Sequence, residues 1–209
     1  LRSSVSTLRT TAGSPDLVEV LVAIDDDDPI PNVRETAEAV ATRVVSFERR
    51  HGYGGLHHYF NALFLVARGD WLLLWNDDAV MLSLDWDERI RELPPEVLVA
   101  DTFCPPHSPD MITFPAVRRE ACAVVGGFSP HNSHCDTYWE IIGRTLRVVR
   151  SVDVRVRHDR ADLTGRHVDD TYRGQFTSGS HQVDFFSASV QDAIQRDIER
   201  LRGSGLVTA

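Results

Sequence analysis

Carboxylates gathered at two points carry most of the chemistry in this 209-residue sequence. One group is Asp25-Asp26-Asp27-Asp28, directly after the apolar run 17–24; the other is Asn76-Asp77-Asp78, directly after the apolar run 71–75. Adjacent carboxylates at a strand end cannot both be buried unpaired, and a hard divalent cation shared with substrate phosphates is one physical solution. The other is a solvated turn that caps the following segment. The run of four aspartates can accept hydrogen bonds from a base or ribose as well as attract a cation, or it can form an exposed acidic loop.

Composition removes several competing chemistries. All 22 basic residues are arginine, so Schiff-base catalysis, a lysine general base and the phosphate-binding Walker loop are excluded. A net charge of −9 and a pI near 5.4 argue against a broad nucleic-acid footprint, which needs clustered cations, although a local basic groove stays open. Cys104, Cys122 and Cys135 are odd in number and widely spaced, with no CxxC pair; they read as reduced thiols rather than a disulfide framework or zinc knuckle. A hydrophobic content of 42% and a mean hydropathy of −0.21 describe a soluble globular chain. No apolar run approaches the roughly 20 residues of a membrane-spanning helix, and no secretory signal is legible, so a cytoplasmic location is the expectation.

The elements that must position the carboxylates alternate between strand and helix. Residues 3–11 read as the end of a helix closed by Ala12-Gly13-Ser14-Pro15, and 17–24 as a buried parallel strand. Asn32 is placed to cap a helix bearing Ala37, Val40, Ala41 and Val44, followed by a short strand at 44–47. His51-Gly52-Tyr53-Gly54-Gly55 opens a second helix, with Leu56, Tyr59, Phe60, Leu63 and Ala67 at helical spacing, and 71–75 forms a third strand. This is the order of an open, mostly parallel α/β sheet flanked by helices, whose ligands sit beyond the carboxyl ends of the strands, where both acidic groups fall. Residues 101–134, rich in proline and glycine, read as irregular; 137–146 returns to helix and 148–156 to strand. The tail 187–202 places Val190, Ile194, Ile198 and Leu201 on one face, for packing within the chain or a homodimer contact.

Taken in order, VEVLVAIDDDDP, RRHGYGGLHHYFNALFLVARGDWLLLWNDDAVM and FPAVRREACAVVGGFSPHNSHCDTYWEIIGR resemble the nucleotide-sugar-dependent glycosyltransferases of the GT-A fold, closest to family 2, over about residues 1–156. The resemblance implies one GT-A (Rossmann-like) domain: a nucleotide-sugar-binding half at 1–100, an acceptor-side half at 101–158, and a C-terminal loop and helix at 159–209. It also implies an opening strand and a Pro/Arg loop ahead of the first helix, so the expectation is that the native protein carries residues before Leu1.

Site residues follow by resemblance. Asp25, with Asp27 beside it, matches the aspartate that contacts the nucleobase. Asn76-Asp77-Asp78 matches the DxD metal motif with Asn in place of the usual first Asp; Asp78 is then the manganese or magnesium ligand and Asp77 the ribose or outer contact. Asp136, after Gly126-Gly127-Phe128 and at a helix start, matches the general base that deprotonates an acceptor hydroxyl, with Glu140 in reserve. An N-cap role would equally suit an aspartate there. His158, after the last strand, matches a late histidine that completes the metal or diphosphate site, and His167 and Asp170 match a substrate cover. Gly54 and Gly55 either permit close backbone approach to the nucleotide or only shape a turn. Asn61 matches a helix asparagine of the family, or serves a helix-capping or inter-helix hydrogen bond, and Trp75, Trp86 and Trp139 offer stacking faces or core packing.

The expected activity is thus metal-dependent, inverting transfer of a sugar from a nucleoside-diphosphate sugar, UDP-sugar foremost, to a hydroxyl acceptor: a glycan, protein, small molecule or modified DNA. A nucleotidyltransferase of similar fold and a non-catalytic nucleotide- or carbohydrate-binding module are the alternatives, the latter kept open by Asn76.

Overall fold

Pro15 tightens the chain into a single 3₁₀ turn at Pro15–Leu17, so the first strand starts later than its apolar run does. In the computed structural model, which describes residues 1–105, 111–131, 134–159 and 186–207, helix α1 (Arg2–Thr10) leads through that turn into β1 (Leu21–Asp25). Helix α2 (Val33–Val40) crosses to β2 (Arg43–Phe47), which pairs with β1 in parallel from Leu21↔Arg43 to Asp25↔Phe47. Asn32 precedes α2 as expected but makes no side-chain cap bond. It takes a left-handed conformation (φ 60°), which asparagine tolerates, and contributes its carbonyl to Thr36 N–H at 3.0 Å.

Helix α3 (Leu56–Val66) then leads to β3 (Trp71–Leu73), and the turn bearing Asn76-Asp77-Asp78 leads to β4 (Ala79–Met81). Beyond α4 (Trp86–Arg91) come β5 (Val99–Phe103), β6 (Ala116–Arg118), α5 (Arg119–Val125), α6 (Cys135–Leu146), β7 (Val149–His158) and the C-terminal helix, α7 (Ala188–Gly203).

The architecture is α/β, with mixed sheets rather than one mostly parallel sheet. β1 and β2 form a pair; the other strands form a five-stranded sheet in the order β3-β6-β5-β7-β4. Among the described paired neighbours of that sheet only β5–β7 is a parallel pair, because β6 enters reversed between β3 and β5, and β4 runs back along β7. Two successive reversals leave β3, β5 and β7 pointing the same way. The carboxyl end of β3, which delivers Asp78, and that of β7, which delivers His158, therefore open on one edge.

The described residues within 101–134, read as irregular from their proline and glycine content, include part of β5, all of β6 and all of α5. Strands of three residues such as β4 and β6 are too short to display alternation. Strand 71–75 ends at Leu73, and Leu74 N–H donates instead to the Pro115 carbonyl at 3.0 Å.

Among the described residues two clusters form the core. One packs α5, α6 and α7 on the sheet through Trp139, Tyr138, Ile142, Ile194, Ile198 and Leu201; the other gathers Leu8, Met81, Trp86, Phe114, Val154 and Val156 on its other side. Each fully buried aliphatic contributes roughly 1.5–3 kcal/mol. The predicted face of α7 is thus spent inside the chain, with Ile194, Ile198 and Leu201 fully buried. Gly143 permits α6 to close on the sheet, because a Cβ there would run into the Val149 side chain. All three cysteines are buried thiols in no disulfide, and burial pushes the Cys135 thiol up to about 12. No described helix is long and apolar enough to cross a membrane.

Candidate functional site

The carboxyl edge of the five-stranded sheet brings Asp78 and His158 together. Asp159 N–H donates to the Asp78 carbonyl at 2.9 Å and Ala79 pairs with His158, so the ladder fixes the two backbones against each other. His158 Nε2 then lies 3.0 Å from Asp78 Oδ1 and 3.3 Å from Asn76 Nδ2. The His158 ring is buried and meets Phe114 edge-on at 5.0 Å between centroids, while the Asp78 side chain is 40% exposed and faces outward. The Asn76 carbonyl is held from α1 by Ser4 Oγ at 3.1 Å, and Ser4 Oγ accepts the Trp75 indole N–H at 2.8 Å. Asp77 is exposed on the same turn.

One carboxylate oxygen and one imidazole nitrogen meet here, and among the described residues no group of three His, Cys, Asp or Glu side chains is arranged to hold a metal ion. Two protein donors leave the remaining positions of a divalent cation to water and substrate phosphate oxygens; the carboxylate suits magnesium or manganese, while an imidazole is more usual on a transition metal. The two donors do not fit a closed structural site, which takes four protein ligands.

At the end of β1 the four aspartates separate into different roles. The Tyr59 hydroxyl, from α3, lies 2.7 and 2.9 Å from the two Asp25 oxygens, so its one proton is shared between them, while it accepts His51 N–H at 2.8 Å. Burial, together with the bond to Asp25, pushes the Tyr59 hydroxyl up to about 12. Phe47 packs edge-on against Tyr59 at 4.7 Å. Asp26 pairs with Arg34 at 2.6 Å on the surface, and Asp28 Oδ1 accepts Ile30 N–H at 2.8 Å, so both serve the local turn. Asp27 is exposed, its carbonyl 3.4 Å from Arg50. Tyr59 has the period of a buried helix face, and nothing in that spacing announces its bond to Asp25.

Gly54 is exposed at the start of α3; Gly55 is its N-cap residue, where a Cβ would stand 2.5 Å from the His51 Cβ. Asn61, one helical face onward, makes a two-point bond to another backbone: Nδ2 donates to the Ser129 carbonyl at 2.8 Å and Oδ1 accepts Ser129 N–H at 2.8 Å. This ties α3 to the loop that precedes α6. That loop carries Asp136 in the first turn of α6, where the N-cap position itself belongs to His134. Asp136 Oδ1 accepts Thr137 N–H at 2.7 Å. Burial pushes its carboxyl above the usual carboxylate range, against the pull of the Thr137 N–H and of His134.

Glu140 is engaged elsewhere, with Arg144 at 2.9 Å and Ile112 N–H at 3.4 Å. Trp86 and Trp139 are core residues whose indole N–H groups donate to the Leu8 and Phe128 carbonyls; Trp75 is partly exposed against Phe114. His167 and Asp170 lie outside the described residues. Compared with known proteins, the chain matches no family model and no curated relative.

Proposed function

We propose that this protein is a metal-dependent glycosyltransferase of the GT-A type, moving a sugar from a nucleoside-diphosphate sugar to a hydroxyl acceptor. The observation that carries the reading is the meeting of Asp78 and His158, 3.0 Å apart on one carboxyl sheet edge, from strands that the sequence separates widely. An oxygen and a nitrogen donor at such an edge suit a cation shared with a diphosphate. When bound, the cation offsets the negative charge that develops on the departing diphosphate.

The chain's own residues then divide the work. Asp78 and His158 orient the diphosphate end of the donor. Asp25, held by Tyr59, accepts a hydrogen bond from the base or ribose, with Asp27 exposed beside it, and Asp77 stands by the ribose. Asp136, whose carboxyl is pushed up by burial, takes the proton of the acceptor hydroxyl as its oxygen attacks the anomeric carbon. A single base opposite the leaving group gives inversion. UDP-sugar is the donor we favour, and a glycan, protein, small molecule or modified DNA supplies the hydroxyl.

A specific observation favours a second reading. His158 Nε2 lies within reach of both the Asp78 carboxylate and the Asn76 amide; donating to the first or accepting from the second, it is engaged by the turn itself, which suits the closed edge of a binding module that performs no transfer. Asp136→Asn separates the two. On the first reading it abolishes product formation, by about 10²-fold or more, and leaves nucleotide affinity intact; unchanged turnover in that variant would remove Asp136 as the base. Binding without turnover across a broad acceptor panel would favour the module.

A further inference from the structure

We propose that Asp197, in the C-terminal helix, is a positioning residue that fixes the turn bearing Asp136. Its carboxylate, 1% exposed, is bonded from both sides of that turn. His131, five residues before Asp136, places Nε2 2.6 Å from Asp197 Oδ2; Tyr138, two residues after Asp136, donates its hydroxyl to the same oxygen at 2.8 Å. Arg200 NH1, one turn along α7, donates to Oδ1 at 3.0 Å. One carboxylate thus brackets the start of α6, and the Trp139 indole holds the same turn from inside through the Phe128 carbonyl at 2.6 Å.

Packing alone does not call for an acid here. The neighbouring inward residues of α7 are Ile194, Ile198 and Leu201, all fully buried, and an apolar side chain at 197 would continue that face. A carboxylate in such a place costs several kcal/mol unless its oxygens are bonded, and replacing buried ionic groups by apolar ones is often neutral or stabilising. What the acid adds is direction: two bonds converging on Oδ2 fix where His131 and Tyr138 stand, and through Tyr138 the first turn of α6. Of the two arms that reach the turn, His131, 24% exposed, is nearer solvent than the buried Tyr138.

The role of the turn in transfer rests on Asp136 being the base; the clamp itself does not, and the test separates them. The Asp136 carboxyl titration is followed by carbon NMR in the full chain, with amide exchange of residues 135–138, in wild type, Asp197→Asn, Asp197→Leu and His131→Ala. Asp197→Leu and His131→Ala are expected to speed exchange in that turn about tenfold or more and to lower the Asp136 midpoint toward the ordinary carboxylate range as water enters. Asp197→Asn, which keeps one acceptor oxygen, is expected to recover part of both. Wild-type exchange and an unmoved midpoint in a folded Asp197→Leu chain would overturn the clamp. If that variant does not fold, the same result in His131→Ala, which removes only the outer arm, would overturn it. With a donor in hand, His131→Ala is expected to lower kcat several-fold at unchanged donor KM. If the wild-type chain transfers no sugar while the midpoint moves, the transfer reading fails and the clamp stands.

Discussion

Asn61 meets Ser129 as one strand meets another: its amide N–H donates to the Ser129 carbonyl and its amide oxygen accepts the Ser129 N–H, both at 2.8 Å. The consequence is that α3, whose Tyr59 holds Asp25, is tied directly to the chain at Ser129, which lies seven residues before Asp136. Gly127 is part of this arrangement, because a Cβ there would stand 2.7 Å from Asn61 Oδ1. Gly127→Ala is therefore expected to destabilise by about 1–3 kcal/mol, and Asn61→Ala, which leaves both Ser129 backbone groups without that partner, by a similar amount. Because Gly127→Ala acts by displacing Asn61, the double variant is expected to cost less than the sum of the two. Urea unfolding of the four chains checks this; simple additivity would mean that the two positions act separately.

Tyr59→Phe removes the donor that fixes Asp25 and the acceptor of His51 N–H. The expected loss of stability is small, about 0.5–1.5 kcal/mol, since the site is partly exposed. The expected effect on binding is larger in kind: affinity for a nucleoside diphosphate falls several-fold because Asp25 is no longer pre-aimed. Calorimetric titration measures it, and equal affinity in the two chains would detach Asp25 from the nucleotide.

Burial raises the Asp136 carboxyl above its ordinary 3.8. Between that value and the raised midpoint the folded chain holds a proton that the unfolded chain has released, so stability falls as pH rises through this window. Asp136→Asn is expected to abolish that slope and to be the more stable chain above it. Transfer, which needs the carboxylate, is expected to rise with pH across the same midpoint. A rate profile whose acid limb sits at the ordinary carboxylate value would contradict the assignment.

Asp87 shows the opposite sign. Burial pushes its carboxyl up, but Gly13 N–H at 2.7 Å, Arg91 at 2.7 Å and Ser14 N–H at 3.2 Å outweigh it and hold it below 3.8. Its contribution is present above 3.8 and is lost as pH falls through the lower, folded midpoint. Asp87→Asn is expected to cost about 1–3 kcal/mol at neutral pH, with the gap from wild type closing in acid. Thermal melts over pH measure it; a gap that stays constant in acid would assign the loss to shape.

Much of the scaffold was legible because its signals are local. The apolar runs at 17–24 and 71–75 mark two strands, with ends shifted by Pro15 and by the Leu74 bond to Pro115, and the spacing of Ile194, Ile198 and Leu201 marks α7 and the face it buries. The sheet order was not legible. β4 and β6 have three residues each, and the reversal of β6 is decided by which edge it pairs with rather than by its own residues. The site divides the same way. Asp78 and His158 stood out as residues, but their 3.0 Å approach follows from the β4–β7 ladder, and Tyr59, Ser129 and Asp197 take part through contacts that no spacing encodes.

The pairing of Asp78 with His158 is the centre of the account. Its most direct test is the melting temperature of wild type, Asp78→Ala and His158→Ala with nucleoside diphosphates, each with manganese, magnesium or chelator. A ligand that binds only the folded chain stabilises it by about 2.7 kcal/mol at a hundredfold excess over Kd, roughly 5–10 °C for a chain of this size. The account predicts such a rise for one nucleotide in wild type, abolished by chelator and by either substitution. No rise with any nucleotide, or a rise that chelator, Asp78→Ala and His158→Ala all leave unchanged, would contradict it.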